Sequence, residues 1–527
     1  MAYYKDLREY VSALEDQGKL IRVKREINKD TEAMPLVRCQ FRGLPEVERK
    51  AFLFENVADV KGKKYSIPLL VASHAASRHV YAIGMMCKPE EIMDKWTQAR
   101  LNPIEPKVIS SGPVQDEVHL GENLLQHGGL GEFPVPISTP GFDNAPYLSA
   151  AHWVSRDPDT GTYNIGTYRA MLKSGNRLGM ALLPNQHMRL HWEKCKAKGI
   201  PLQAAIVIGS TPNIGFVSSV KVPYGTSEYA VAGGIAGEPV QLVKCQTVDI
   251  EVPATAGMIF EGEIPTDYME REAPFGEYTG YMGLEALNPY FDITCITHRK
   301  DAIFNAFLSQ FPPSESSMIR RIGFEANMYK FLKQDCNLPV VLDVAFHEES
   351  GSSGICVIKM KKTHSTQSWQ ALKAAEAYAD FIAKFVIVVD EDIDARDIDS
   401  VMWALCYRVQ PHRDTQIVKG GKLGLDISVA DTSLSPAEAD KAFGSALLID
   451  ATIKWDYPPV SLPKREFMEK ALKIWEELGL PELKLKAPWY GYQLGLWTEE
   501  NEKEAELALK GEYHQTGEKL AKQRTKV

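Results

Sequence analysis

Between residues 146 and 310 the chain is written as short apolar and β-branched runs cut by Gly, Pro and Asp: YLSAAHWVS, QAAIVIG, GFVSSVKV, VQLVKCQTVDIEV and FDITCITHR. Runs this short, at fairly even spacing, predict the strands of a barrel or sandwich. A Pro-rich passage precedes them, with NPIEP and FPVPISTPG inside 103–140. Its missing amide protons rule out a helix or a central strand and predict a linker or pocket-edge loop. After FPPSESS the pattern changes. Ile319, Ile322, Ala326 and Tyr329 recur at helical spacing behind capping serines, which predicts a connecting helix over 317–333. Strands PVVLDVAF, GICVIKM and FVIVV then alternate with helices near 367–383 and from about 396, the pattern of a separate α/β unit.

Upstream, DLREYVSALED has helical spacing and YSIPLLVAS reads as a buried strand. The expected division is an α/β segment at 1–115, a strand-rich domain at 116–315, an α/β domain at 316–460 and a charged helical tail at 461–527. A chain of 527 residues is long for one domain, and the class is α+β.

Composition excludes some functions. At 44% hydrophobic and 24% charged residues, the chain has apolar material for a real core. A net charge of −9, with no basic run except the terminal AKQRTKV, argues against nucleic-acid or anionic-membrane partners. No apolar stretch is long enough to span a membrane, and MAYYKDLREYVSALEDQGKL is too charged for a signal peptide. The eight cysteines (39, 87, 195, 245, 295, 336, 356 and 406) form no CxxC pair and read as buried free thiols of a reducing, cytoplasmic setting. GxGxxG after a strand, GxxxxGK[ST], GxSxG and HExxH are all absent. DEDIDARDID (390–399) lacks the glycine and closing glutamate of a calcium loop and reads as a solvated turn favouring a helix N-terminus.

The stretch REAPFGEYTGYM (271–282) is different. Glu272 and Glu277 flank Ala-Pro-Phe-Gly among Phe275, Tyr278 and Tyr281, so two acids sit in a segment built like a pocket wall. With GTYNIGTYRAM (161–171), LLPNQHM (182–188) and VQLVKCQT (240–247), this stretch resembles the UbiD family of decarboxylases, which use prenylated flavin mononucleotide. FVIVVDEDIDARD, RVQPHRDT, IDATIKW and the opening DLREYVSALEDQGKLIRV are similar to family segments too, so the likeness spans most of 1–460 and leaves the tail unplaced. The loop STPGFDNAPYLSAAHW resembles the aromatic-acid branch.

The resemblance implies a split β-barrel flavin domain joined by a helix to an α/β oligomerisation domain, in a homodimer or homohexamer supplied by a flavin prenyltransferase. Loss of CO2 from an sp2 carbon leaves a carbanion that side chains cannot delocalise, so a cofactor must accept the charge. The protein then needs a cation for the carboxylate, an acid to return a proton, and little water. By resemblance, Arg169 is that cation, Glu272 fixes it, and Glu277 protonates a covalent flavin adduct. Aromatic surroundings and a second carboxylate raise the pKa of such an acid, while Arg169 pulls it down. The resemblance places flavin contacts at Thr167, Tyr168, Arg169, Ala181, Leu182, Leu183, Gln186 and His187. It places a divalent metal, usually manganese, on Asn164, His187 and a third position matched to Gln241, where the family has Glu. Lys221 falls near a potassium site of some relatives, where its ammonium could replace that ion. An aromatic acid, phenylphosphate or an aryl-CoA thioester is the implied substrate, with Lys361, Lys362 and Arg320 as candidates for a CoA groove. Two other readings stay open: a flavin-dependent oxidoreductase, and a catalytically silent subunit of a carboxylase complex.

Overall fold

The computed structural model describes residues 2–184, 186–309, 311–351, 353–378, 383–420, 426–429, 431, 442–523 and 525. Its centre is a nine-stranded antiparallel sheet. From one edge the strands run Tyr147–Leu148, Ala170–Ser174, Arg177–Met180, Tyr290–His298, Met258–Ile264, Leu202–Ile208, His152–Arg156 and Tyr163–Thr167, with Glu117–Leu120 also paired on Tyr290–His298. The strands Tyr163–Thr167 and Ala170–Ser174 lie near opposite ends of this order, yet only Tyr168 and Arg169 join them in the chain. A flat sheet cannot satisfy that link. The sheet must curl into a half-closed barrel whose two ends meet at Tyr168–Arg169. Trp153, fully buried, donates its indole N–H to the Tyr168 carbonyl at 2.8 Å and packs edge-on against Phe291, which fixes the link from inside.

Most of the predicted strands form, with one correction. GFVSSVKV lies largely in a helix, Pro212–Ser219, buried along almost its whole length. A short run that is apolar on every side does not distinguish a buried strand from a buried helix, and Pro212 in the first turn starts the helix.

The N-terminal sheet pairs Leu20–Asn28 in parallel with Ala51–Ala58, and it receives a strand from far along the chain, Phe304–Ala306, beside Leu69–Val71. One apolar core therefore runs from Leu7 to Leu308. The connecting helix spans Glu315–Lys330 and continues through one wider turn to Asp335. Beyond it lies a five-stranded mixed sheet in the order Val341–Phe346, Ile355–Met360, Phe385–Asp390, Ser445–Ala451, Thr415–Lys419. Helices Gln367–Ala377 and Ile398–Arg408 follow two of its strands; residues 379–382 of the helix expected to 383 lie outside the described residues.

The acidic loop is less solvated than expected. Asp390 and Asp392 accept hydrogen bonds from the buried Arg408 at 3.0 and 2.8 Å, while Asp397 caps the helix Ile398–Arg408. The tail helices Arg465–Glu477, Glu499–Leu509 and Tyr513–Lys522 bury no residue fully. All eight cysteines are free, but only Cys195, Cys295 and Cys356 are buried; Cys87, Cys245 and Cys336 are half-buried, and Cys39 and Cys406 are exposed. No helix among the described residues is long and apolar enough to cross a membrane.

Glu325, on the connecting helix and fully buried, ties the parts together. It pairs with Arg78 and with Arg396, each at 2.8 Å, and accepts the Phe346 amide. Burial opposes the charge, but the guanidinia of Arg396, Arg78 and Arg321 outweigh it and hold the carboxyl down at about 2. A carboxyl held below its unfolded value stabilises the fold fully above about pH 4.5, and that contribution fades as pH falls toward 2. Glu325→Ala is expected to cost on the order of 2–3 kcal/mol at pH 7, below the range for a broken fully buried pair, because Arg78 and the partly exposed Arg396 lose the buried carboxylate they share. Thermal unfolding from pH 7 to 3 should show the wild-type advantage shrinking below pH 4.5.

Candidate active site

The two-residue link at the barrel gap projects Arg169 into a cavity of about 430 Å³. Its guanidinium is held on one edge by Glu272, with Nε to Oε1 at 2.9 Å and Nη2 to Oε2 at 2.8 Å. Nη1 contacts the Glu277 carboxylate. Glu272 is fully buried, whereas Arg169 and Glu277 each keep 12% of their side chains exposed. The fork is bidentate, the strongest geometry available to an Arg–carboxylate pair.

The local chain explains how one segment supplies both acids. Glu270–Glu272 pairs with Ala286–Asn288, and Phe275–Gly276 pairs with Met282–Gly283, so residues 270–288 form a two-part hairpin arm. Ala273 sits between the two pairings at φ 95°, a conformation that costs an alanine energy and re-aims the chain. Asn144 donates to the Ala273 carbonyl at 3.0 Å, and Tyr147 packs on the Phe275 ring at 4.5 Å, which hold the turn from below. Phe275 lies under the guanidinium at 5.5 Å. Gly283 leaves room here: a Cβ would lie 3.2 Å from Arg169 Nη1 and 3.3 Å from Glu277 Oε1, so both groups would have to shift by a few tenths of an ångström to accept one.

Of the expected flavin contacts, Thr167, Tyr168, Arg169, Ala181, Leu183, Gln186 and His187 line the cavity. Leu182, between two of them, packs in the apolar core. Thr167 Oγ1 is in hydrogen-bond contact with His152 at 3.1 Å and Ser218 at 2.9 Å. Burial pushes His152 down to about 3, so this polar floor carries a neutral imidazole. Gln186 Oε1 accepts the Leu183 amide at 2.8 Å, which shapes the turn into helix His187–Lys198.

The metal expectation needs one correction. Asn164 and His187 line the cavity, but Gln241 does not. Gln241 is exposed, at the start of a strand paired with Lys107–Val108, and its carbonyl accepts the Ala254 amide. The acid beside Asn164 and His187 is Glu228, which sequence reasoning missed. Glu228 is buried at the first turn of helix Glu228–Ala236, and its Oε2 accepts the amide of Ile165, next to Asn164, at 3.2 Å. A signal was present: SEYAVAGGIA places one carboxylate in an otherwise apolar helix behind a capping serine. Desolvation pushes Glu228 up to about 8, and the buried Asn164 Nδ2 has no hydrogen-bond partner. An amide, an imidazole and a carboxylate suit a hard divalent cation, which would offset the cost of burying that charge. Lys221 also lines the cavity; after burial, its charge is the second cause lowering the His187 pKa.

Of the three basic residues considered for a CoA groove, only Arg320 reaches the cavity, stacked 3.9 Å over Tyr278. Lys361 pairs with Glu391 and Lys362 donates to Thr452; neither lines it.

Three family models match the chain. They are the Rift-related, C-terminal and N-terminal domains of 3-octaprenyl-4-hydroxybenzoate carboxy-lyase (UbiD), over residues 107–311, 317–451 and 11–100. Among solved structures, the UbiD-class enzyme HmfF from Pelotomaculum thermopropionicum, in complex with prFMN, is 29% identical; the match covers 87% of this chain and 97% of that one, with a TM-score of 0.74. The closed form of vanillic acid decarboxylase from Sedimentibacter hydroxybenzoicus is 27% identical over 91% of this chain and 100% of that one, with a TM-score of 0.76. An uncharacterised protein of Aquifex aeolicus is 29% identical over 508 residues, 90% of this chain and 99% of the relative.

Two substitutions test the corrected metal set. Glu228→Gln should weaken Mn2+ binding at least tenfold, and Gln241→Ala should leave it unchanged, as read by metal analysis after dialysis.

Proposed function

The chain belongs to the UbiD family of carboxy-lyases, and from that premise we propose that it decarboxylates a small planar aromatic acid, reversibly, with prenylated FMN in the cavity beside Arg169. The observation that carries this reading is the Glu272–Arg169–Glu277 array on the cavity wall. The bound flavin supplies the electron sink that an sp2 carbanion requires. Asn164, His187 and Glu228 would hold a divalent metal that offsets the negative charge of a flavin phosphate, and Lys221 on the same wall would add a further positive charge.

The chain's own residues divide the remaining work. Of the five N–H donors of Arg169, Glu272 takes two and Glu277 one, so two remain for the substrate carboxylate. Glu272, fully buried, grips the guanidinium through two hydrogen bonds and holds it still. Glu277 contacts Arg169 through one nitrogen and is partly open to the cavity, which suits the acid that must lose and regain a proton. Phe275, Tyr278 and Leu284 line the site and give it apolar and aromatic walls. A free acid is favoured over a CoA thioester because Lys361 and Lys362 face other partners. Hydride transfer would leave the two acids on one arginine without a task. The silent-subunit reading loses its support once Glu228 takes the place of Gln241.

The test uses holoenzyme prepared with a flavin prenyltransferase and a panel of aromatic acids and aryl-CoA thioesters. Glu277→Gln should abolish turnover and solvent-deuterium exchange while flavin stays bound. Exchange retained in that variant would contradict the proton-carrying role. Gly283→Ala, which crowds the Arg169–Glu277 contact, should lower kcat about 10- to 100-fold with little change in melting temperature.

A further inference from the structure

The structure points to a second cation site, outside the cavity, in which His119, Glu132 and His298 bind Zn2+, and we propose it as a structural metal clip. The three residues offer ligand atoms within 4.8 Å of one another, the sole such His/Cys/Asp/Glu group among the described residues. None of them lines the cavity described above.

Topology brings them together. Strand Glu117–Leu120 runs antiparallel to the end of Tyr290–His298, with His119 opposite Ile296 and His298 opposite Glu117. His119 and His298 are therefore diagonal neighbours on one face of the sheet, with their rings stacked at 5.3 Å. Glu132 ends the short turn Gly129–Glu132, just before Phe133, whose ring packs against both His298 and Phe260.

Three ligand atoms converge on one point. His298 Nδ1 lies 2.9 Å from the Arg299 carbonyl, which can only accept, so Nδ1 carries a proton and Nε2 is the nitrogen turned toward the other two groups. That Nε2 is 3.1 Å from His119 Nε2 and 3.7 Å from Glu132 Oε1. The carboxylate thus sits beyond hydrogen-bond distance of the imidazole it faces, at a spacing that a shared cation would bridge. Two nitrogens bound to one tetrahedral Zn2+ at about 2.0–2.1 Å would lie roughly 3.3 Å apart, close to the spacing seen. The Nδ1–H to carbonyl bond is the usual outer support for a metal-bound imidazole. Two imidazoles and a carboxylate favour zinc over calcium or magnesium. Binding would set His119 in its Nδ1–H tautomer, with Nε2 offering its lone pair and no net proton lost from the ring, and leave a fourth position for water or for the exposed His127, whose ring is 5.1 Å from that of His119. The ion would fasten segment 121–133 to the barrel, upstream of the loop in which Asn144 supports Ala273.

The cavity site is removed from the test with His187→Gln in the full-length chain. Chelator-stripped protein is loaded with Zn2+, desalted and analysed for metal, and it is also loaded with Co2+ for its visible spectrum. His187→Gln is expected to retain one zinc per chain and to show the intense bands of tetrahedral Co2+. Adding His119→Gln should weaken binding at least tenfold and abolish those bands. If that variant does not fold, Glu132→Gln, at a partly exposed position, carries the same test with the same expected loss. Absence of zinc from His187→Gln, or zinc retained unchanged in the folded His119→Gln or Glu132→Gln forms, would overturn the proposal.

Discussion

The site depends on one guanidinium shared between two carboxylates with different freedoms. Arg169 is gripped on one edge by a buried acid and touched at its end by a more open one. The buried fork costs desolvation of both charges, and its two hydrogen bonds at 2.8–2.9 Å offset that cost only while the geometry holds. What the fork contributes is position. Glu272 can settle only where its partner is, and Glu277 is then presented to the cavity at a fixed angle.

The fold is arranged to keep that position. The barrel is left open where its two ends meet, and the link across the gap is the dipeptide that carries Arg169. Trp153 anchors the link from the core, and the hairpin arm of 270–288 brings the acids to it from a distant part of the chain. Energy is spent at Ala273, in a left-handed conformation between the two acids, and at Glu228, a carboxylate buried before any cation arrives. Glu228 and Glu277 stand on the cavity wall, while Glu325 gathers its arginines on the connecting helix.

Much of this was legible in the sequence for physical reasons. Short apolar and β-branched runs cut by Gly, Pro and Asp announced the barrel strands, and the serines before Ile319 announced the connecting helix at Glu315–Lys330. REAPFGEYTGYM showed two acids in a segment built like a pocket wall, and the family resemblance implied that Glu272 and Glu277 share Arg169. The misses share a cause. GFVSSVKV and SEYAVAGGIA are buried on all sides, so neither has the periodicity that separates helix from strand or marks which polar side chain faces a cavity. Gln241 was chosen by likeness of a strand motif, but that strand turns both Leu242 and Val243 inward and leaves Gln241 in solvent. The histidine–glutamate cluster could not be read at all, because its members lie far apart in sequence and meet only through strand register.

The central claim is that Glu272 acts through Arg169 on Glu277 as one unit. A double-mutant cycle on the decarboxylation rate of the flavin-loaded enzyme tests it most directly, using Glu272→Gln, the residually active Glu277→Asp and the pair. The account predicts strong non-additivity, with the pair falling little further than the more damaging single variant. Losses that multiply independently would contradict it.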